Sequence, residues 1–551
     1  MKPTMKIAVA CAAMAIAGAA LVLPSGSALA ATQTVTNNTD SGPGSLRAAI
    51  AAAANADTVA FDPSLTGQTI TLASVIPINT SITVDAASTH VTISGGSASQ
   101  VFSIPTATPT VSLRNLTIKN GKSAATGGAI INHGTLNISG SSFSGNSAAT
   151  GGGAIDNAHV MSVADSVFSA NTNAGNDGGA IDSEGTLTLA RTVFSENVNS
   201  GRHSGAVENN GGTSMVIDRS SFIGNTTQAD GGAISNDGSG LRITNSTFTG
   251  NVAKGNGGAL WMHAQETISS STFANNHAAD GGAFEHLPAA LTDSIVANNT
   301  ITAGNVAGNC STPLTATQDK GNNLQFGDAT CALAATTDVT GDPQLGPAQD
   351  NGSGLPTQAL GAGSLAIDKG TCTDPLAANA VIAIDERGVP RPQGLTCDIG
   401  AFELDAVTPT VNTTFPAPNG ANGTYTDSVA GTVTATDSGL VEQLSCTGAT
   451  LTNVTGLGTT SVSGTLTVSG AGTHNIVCTA TDLSGNQGTH AATVTIATPV
   501  PTLPKAGAGR AAQGPGRAAL VVVVASLLLL VLQARPAGRL RRRPRFSREA
   551  R

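Results

Sequence analysis

Aromatic side chains are scarce in this chain, 3% of 551 residues, with a single Trp and a single Tyr. Charged residues are also few, at 11%. A core assembled from such a composition is narrow. No Ser/His/Asp, Walker or Rossmann signature is present, so hydrolase triads, phosphate loops and dinucleotide binding have no support. Seven cysteines occur without CxxC or His-rich spacing, which leaves a zinc framework unsupported. Basic residues are short where they would matter. Between Ala31 and Thr502 there are 34 acidic and 13 basic residues, a net charge of −21 against −9 for the whole chain. Such a surface repels nucleic acid and anionic polymers and favours cationic ligands or divalent ions, solubility being its plainer use.

What is abundant is glycine, 66 residues, and much of it recurs in a pattern. Gly-Gly-Ala-Ile, a short alternating run and Phe-x-x-Asn repeat seven times between Gly127 and Phe284. The Ala of each copy stands at 129, 154, 180, 206, 233, 259 and 283, at spacings of 24 to 27 residues. So regular a period predicts a solenoid. Each copy reads as three short strands, as in Gly179–Ile181, Leu187–Leu189 and Val193–Ser195. Three strands in one copy bury no core alone, whereas stacked copies pair in parallel at about 4.8 Å. The pattern predicts a right-handed parallel β-helix with ladders of Ala, Leu/Ile and Phe, and an Asn column of stacked amides at a turn. A propeller blade needs about 40 residues and four strands, which the period does not supply.

Residues 31–64 are expected to cap the N-terminal end. Ser45 is suited to an N-cap, and Leu46 and Ile50 lie one turn apart, which predicts a short amphipathic helix over the open edge. Irregular coils follow from residue 65, and the β-helix with its C-terminal cap is expected to reach residue 405. Beyond it, residues 406–497 turn to Thr, Val and Gly with spaced strand runs, which predicts a β-sandwich. Asp437 and Asp482 there are candidate Ca²⁺ ligands, with turn formation the commoner use; no other cofactor is expected.

Residues 1–30 have the charge, apolar run and Ala28-Leu29-Ala30 site of a secretory signal peptide. Export leaves six cysteines, an even number that favours disulfides. Sequence neighbours suggest Cys310–Cys331, Cys372–Cys397 and Cys446–Cys478 among 15 connectivities. Residues 498–517 form a Pro/Ala/Gly linker, 518–534 an apolar run at the low edge for a transmembrane segment, and 535–551 a basic tail carrying eight Arg, expected in the cytoplasm.

Several stretches resemble known families. Leu503-Pro504-Lys505-Ala506-Gly507, the apolar run and the basic tail resemble a Gram-positive sortase sorting signal. Ala506 stands where Thr is usual, so a plain membrane anchor remains the alternative to wall attachment. Residues 418–425 and 478–486 resemble bacterial Ig-like surface modules, which act as spacers or adhesion units. Residues 40–405 resemble the choice-of-anchor Q family of exported β-helix proteins. The residues that carry this are Gly44–Ile50, the repeated coils, Leu345–Pro347, Asp350–Gly352, Ala366–Gly370, Arg387–Pro392 and Asp398–Glu403. Gly44 and Ala48 depart from the Cys and Glu often found there. The coils alone resemble chlamydial polymorphic outer-membrane proteins. These resemblances imply an exported protein on the cell surface, membrane-anchored or wall-attached, and no agreed activity.

One axial column carries chemistry. Two residues beyond the repeat Ala stand Ile131, Asp156, Asp182, Glu208, Ser235, Trp261 and Glu285. Whether this column points inward or sits at a solvated bend is open from sequence. Asp156, Asp182 and Glu208 would stack one strand spacing apart, close to the separations that glycosidases use between paired carboxylates. Trp261 could stack on a sugar. The plainer reading is a polar stripe repeated by duplication. The expected function is a binding, adhesion or structural role, with a glycan or surface protein as ligand, sortase and membrane as further partners, and no nucleic acid. The alternative is a polysaccharide lyase or glycoside hydrolase acting through Asp156, Asp182, Glu208, Trp261 and Glu285. A lyase would also want an Arg or Lys base, for which Arg191, Arg202 and Arg219 are at hand, although Arg191 and Arg219 occupy another column.

Overall fold

The computed structural model describes residues 30–498 except 264–265, 287, 303–305 and 375–379. The signal peptide, the Leu503–Gly507 motif, the apolar run and the basic tail lie outside the described residues. Among the described residues no helix is long and apolar enough to cross a membrane.

About eleven coils stack in parallel and generate four long sheets. One coil shows how. Ile181–Ser183 pairs with Ile155–Asn157 on one side and Val207–Asn209 on the other. Thr186–Ala190 pairs with Val160–Ala164 and Ser214–Asp218. Val193–Ser195 lies between Val167–Ser169 and Ser221–Ile223. A fourth strand, Val198–Asn199, follows the repeat Asn and forms its own nine-stranded sheet with its equivalents. The sequence pattern had yielded three strands per coil. Two residues contain no full alternation, so the fourth leaves no periodic signal.

The inward residues form continuous ladders. Phe143, Phe168, Phe194, Phe222, Phe248 and Phe273 are fully buried, and successive rings stack 4.6 to 5.0 Å apart within 13° of parallel. The Asn that follows each Phe is buried too, and the next Asn satisfies it. Asn171 Nδ2 donates to Asn197 Oδ1 at 2.9 Å, and Asn197 Nδ2 to Asn225 Oδ1 at 2.9 Å. The same Nδ2 of Asn197 donates to the Phe168 carbonyl one coil back, while its backbone N–H donates to Asn225 Oδ1. Every amide thus closes the turn and joins two coils, which is why a polar group is tolerated inside.

The double glycine has two separate causes. Gly257, at φ +67°, folds back over its own strand, and a Cβ there would lie 2.3 Å from the Leu260 carbonyl oxygen. Gly179 lies on the axial neighbour, where a Cβ would meet the Gly205 oxygen at 2.0 Å. At Gly127, Gly231, Gly257 and Gly281 the first position lies in the left-handed region, and the second leaves no room for a side chain.

The helix Leu46–Ala52 forms as expected. Ser45 accepts the Ala48 N–H, and Leu46, Ala49 and Ile50 join the same apolar core as Val35, Val59 and Phe61. At the other end, residues 385–403, expected to close the stack, lie along its flank. Glu386 is buried there, accepting Ser221 Oγ at 2.8 Å and Thr247 Oγ1 at 2.5 Å from the outer side of the Phe strands. Gly400 N–H donates to the Asp293 carbonyl, and Ala401 N–H to Thr272 Oγ1. Arg387 pairs with Asp385, and Arg391 with Glu403, all four buried.

Beyond Asp405 the strands turn antiparallel. Thr410–Thr414, Val429–Thr447, Thr450–Thr455, Thr459–Val468, Gly472–Asp482 and Gln487–Ile496 form one six-stranded sheet. The longest of them is the 19-residue Val429–Thr447. Its first half pairs with 410–414 and 459–468, and its second half with 472–482 after a register shift between Thr436 and Val441. Val433, Ala435, Val441, Val462, Leu466, Ile476 and Val494 form its core. Cys446 and Cys478 are cross-strand neighbours and are bonded to each other. Disulfides also join Cys310 to Cys331 and Cys372 to Cys397. All described residues fall within one compact unit ending at Thr498.

Candidate functional site

The column defined by the repeat is continuous in space. Ile131, Asp156, Asp182, Glu208, Ser235, Trp261 and Glu285 are Cα partners on seven successive coils. Each is the middle residue of its strand or stands beside the core-facing one. Ile181 and Ser183 flank Asp182 and are fully buried. Alternation therefore turns the column to the outer side of its sheet. It is nevertheless covered: Asp182 is 5% exposed and Glu208 1%. Cover comes from the loop that leads into Val207–Asn209. Ser204 N–H reaches Glu208 Oε2 at 3.4 Å, and His203 Nδ1 stands 3.8 Å from Oε1. Ser235, one coil on, donates to Oε1 at 3.3 Å.

Burial and crowding hold protons on this stripe. Burial is the main cause that raises Asp182 to about 8, with Asp177, Asp156 and Glu184 adding like charge. Burial, then the neighbouring Asp182, pushes Glu208 well above the ordinary carboxylate range. Asp156 is also raised, by burial first. Asp182 Oδ1 is buried without a hydrogen-bond partner. A carboxyl held at about 8, as in Asp182, keeps its proton at neutral pH and acts as a hydrogen-bond donor or acid rather than as a base, and the same burial and crowding bias Glu208 in that direction. Arg191 and Arg219 are bonded elsewhere, to Asp165 and Asp218 in the turn between the second and third strands.

Two coils beyond Glu208 the stripe opens into an aromatic patch. Trp261 is half-buried, with His263, His286 and His203 around it at ring-centroid distances of 5.5, 6.1 and 6.4 Å. His263 Nδ1 is 3.5 Å from Asp237 Oδ1. Glu285, next along the column from Trp261, is half-buried. His203, Glu208 and Asp237 each bring a ligand atom within 4.8 Å of the other two, the donor set of a transition-metal site in type. Asp237, His203 and His286 lie outside the column that the repeat defines. Asp237 and His263 stand two residues past it in their coils, as do His133 and Glu184, so a second axial position at that offset carries the signal. His203 has no such register, because its loop varies in length.

A solenoid of repeated coils with a polar-aromatic stripe on one sheet is the architecture of a repetitive β-helix protein. The sequence comparisons agree. Residues 140–158, 219–237 and 245–262 match the Chlamydia polymorphic membrane protein (Chlamydia_PMP) repeat. Each matched segment spans a Phe strand, the paired glycines and a whole column strand. Repeat and fold together point to a surface-exposed protein. No curated protein matches the chain.

Proposed function

We propose that this is an exported protein of the choice-of-anchor Q type, held at the cell surface by its C-terminal segment. Its coils present a binding face, and the antiparallel module past Asp405 is an Ig-like spacer or adhesion unit. The face is the Trp261 stripe, and its ligand is a glycan. The observation that carries this is the half-buried Trp261 ring beside three imidazoles and the buried Glu208 end of the column. An aromatic face flanked by hydrogen-bonding groups suits a sugar ring, whose C–H face is apolar and whose rim is polar. The segments on either side supply the rest: a signal peptide over 1–30, and over 498–551 a linker, an apolar run and a basic tail that serve as membrane anchor or sortase substrate.

A second reading, a polysaccharide lyase or glycoside hydrolase, draws on the raised acids at Asp182 and Glu208. It requires an ionised partner beside a protonated one, and Asp156 is the less buried carboxyl next along the column. A glycan panel separates the two. Binding to a glycan that Trp261→Ala abolishes, and that survives Asp182→Asn and Glu208→Gln without bond cleavage, supports the binding face. Release of reducing ends or unsaturated uronide, lost in those two variants, supports the enzyme. Binding unchanged in Trp261→Ala removes the stripe as the face.

A further inference from the structure

A second carboxylate group lies away from the stripe, where the coils hand over to the antiparallel sheet. Asp405 ends the segment on the solenoid flank. Asp437 sits at the register shift in Val429–Thr447, and Asp482 ends Gly472–Asp482. They are 32 and 77 residues from Asp405 in sequence, yet each brings an oxygen within 4.8 Å of the other two. Asp482 and Asp405 are 1% and 3% exposed. Past Asp405, Asp482 is the one fully buried polar side chain among the described residues.

Each carboxylate uses one oxygen in the expected way, closing a turn. Asp405 Oδ1 accepts Val407 N–H at 2.9 Å, Asp437 Oδ1 accepts Gly439 N–H at 2.7 Å, and Asp482 Oδ1 accepts Asn486 N–H at 2.8 Å. Asp482 Oδ2 accepts Asn486 Nδ2, which also donates to the Asp405 carbonyl. That leaves Asp405 Oδ2 and Asp437 Oδ2, both buried and both without a hydrogen-bond partner. Asp405 Oδ2 points into the group: a Cβ on Gly439 would be 2.1 Å from it and 3.3 Å from Asp437 Oδ1. Two unpartnered carboxylate oxygens, buried side by side with a third acid, are costly unless a cation stands among them.

We propose that Asp405, Asp437 and Asp482 bind a Ca²⁺ ion that ties the antiparallel module to the solenoid. The donors are all oxygen, with no imidazole or thiolate among them, which selects a hard cation. They come from three separate turns and not from a rigid octahedral cage, which favours Ca²⁺ over Mg²⁺. Burial raises Asp405 to about 6, with Asp437 and Asp482 adding like charge, and burial also raises Asp437, with Asp482 adding to it; this is the repulsion that the ion removes. The linked elements already touch through Asn486 and through Gln393 Nε2 donating to the Ser438 carbonyl. An ion here therefore stiffens a joint and does not create one.

The test is calorimetric titration of the full chain with CaCl₂, with MgCl₂ in parallel, on wild type, Asp437→Asn, Asp405→Asn and Asp237→Asn. One Ca²⁺ per chain with a Kd on the order of 10⁻⁴ to 10⁻³ M is expected. Affinity falls at least tenfold in Asp437→Asn and in Asp405→Asn and is unchanged in Asp237→Asn, which alters the His203–Glu208 group instead. Melting gives a second readout. In EDTA, Asp437→Asn melts above wild type because a repulsion is gone; in 10 mM CaCl₂, roughly ten times the upper Kd, the order reverses. Absence of Ca²⁺ binding in wild type, unaltered binding in both junction variants, loss in Asp237→Asn alone, or the same melting order in both buffers would each overturn the proposal.

Discussion

In the parallel coils the side chains of Asn171, Asn197 and Asn225 are buried and hydrogen-bonded to one another. In the antiparallel sheet, strand Val429–Thr447 alternates, with Val429, Gly431, Val433 and Ala435 inward and Ala430, Thr432 and Thr434 in solvent. Both regions are all-β, yet they treat polar side chains in opposite ways. A parallel stack places the same residue on itself every coil, so an amide always finds an amide at the strand spacing. An antiparallel pair brings unlike residues together, and its safest course is to leave polar ones in water. Polar residues therefore carry structure in the coils and carry little in the module.

Two intrinsic probes separate these regions. Trp261 reports only on the coils, and Tyr425, buried with its hydroxyl bonded to the Pro416 carbonyl, only on the module. The largest effect is expected from Asn225→Ala. It strips acceptors from the Asn197 backbone and side-chain N–H groups and a donor from the Phe194 carbonyl. With about 1–3 kcal/mol for each buried group left unsatisfied, the cost is about 4 kcal/mol or more. Thr434→Ala should cost about 0.5 kcal/mol or less. Urea unfolding followed at Trp261 and Tyr425 measures both, and equal costs would break the comparison.

Next in size is the Cys446–Cys478 bond, which closes a loop of 32 residues. Replacing both cysteines by Ala should destabilise the module by about 3 kcal/mol through loop entropy. The shift should appear in the Tyr425 transition and leave that of Trp261 in place. The smallest effect, taken per pH unit, concerns Asp182. Burial first, then neighbouring carboxylates, push its carboxyl up to about 8 in the fold, above the ordinary carboxylate range. The folded form therefore binds the proton more tightly than the unfolded form does. Its contribution to stability is complete below about pH 4 and declines as pH rises to about 8. Asp182→Asn should flatten that decline in the Trp261 transition by about 1.4 kcal/mol for each pH unit of the window. A slope unchanged by the substitution would show that Asp182 is ionised in the fold.

The period alone set the column register, residue for residue, because successive coils differ by only one or two residues and the changes fall in loops. Its direction was not legible. In a three-residue strand such as Ile181–Ser183, both neighbours of Asp182 are buried, and an aspartate beneath a loop has the same pattern as one in solvent. The fourth strand was too short to leave a pattern. The flank position of residues 385–403 left none either, since Glu386 finds Ser221 and Thr247 at separations of 165 and 139 residues. The Asp405 group is the same case: its members share no spacing, and only the fold brings them together.

The glycine stack limits how such a molecule changes its length. Where Gly179 and Gly205 touch backbone to backbone, nothing can be inserted between coils, and the register of every ladder forbids a fractional step. Removing residues 180–205 as a unit would set the Asn171 turn directly against the Asn225 turn, with all four sheets rejoined and one rung fewer. The solenoid is a ruler graduated in steps of about 4.8 Å, and its length is adjusted only in whole coils.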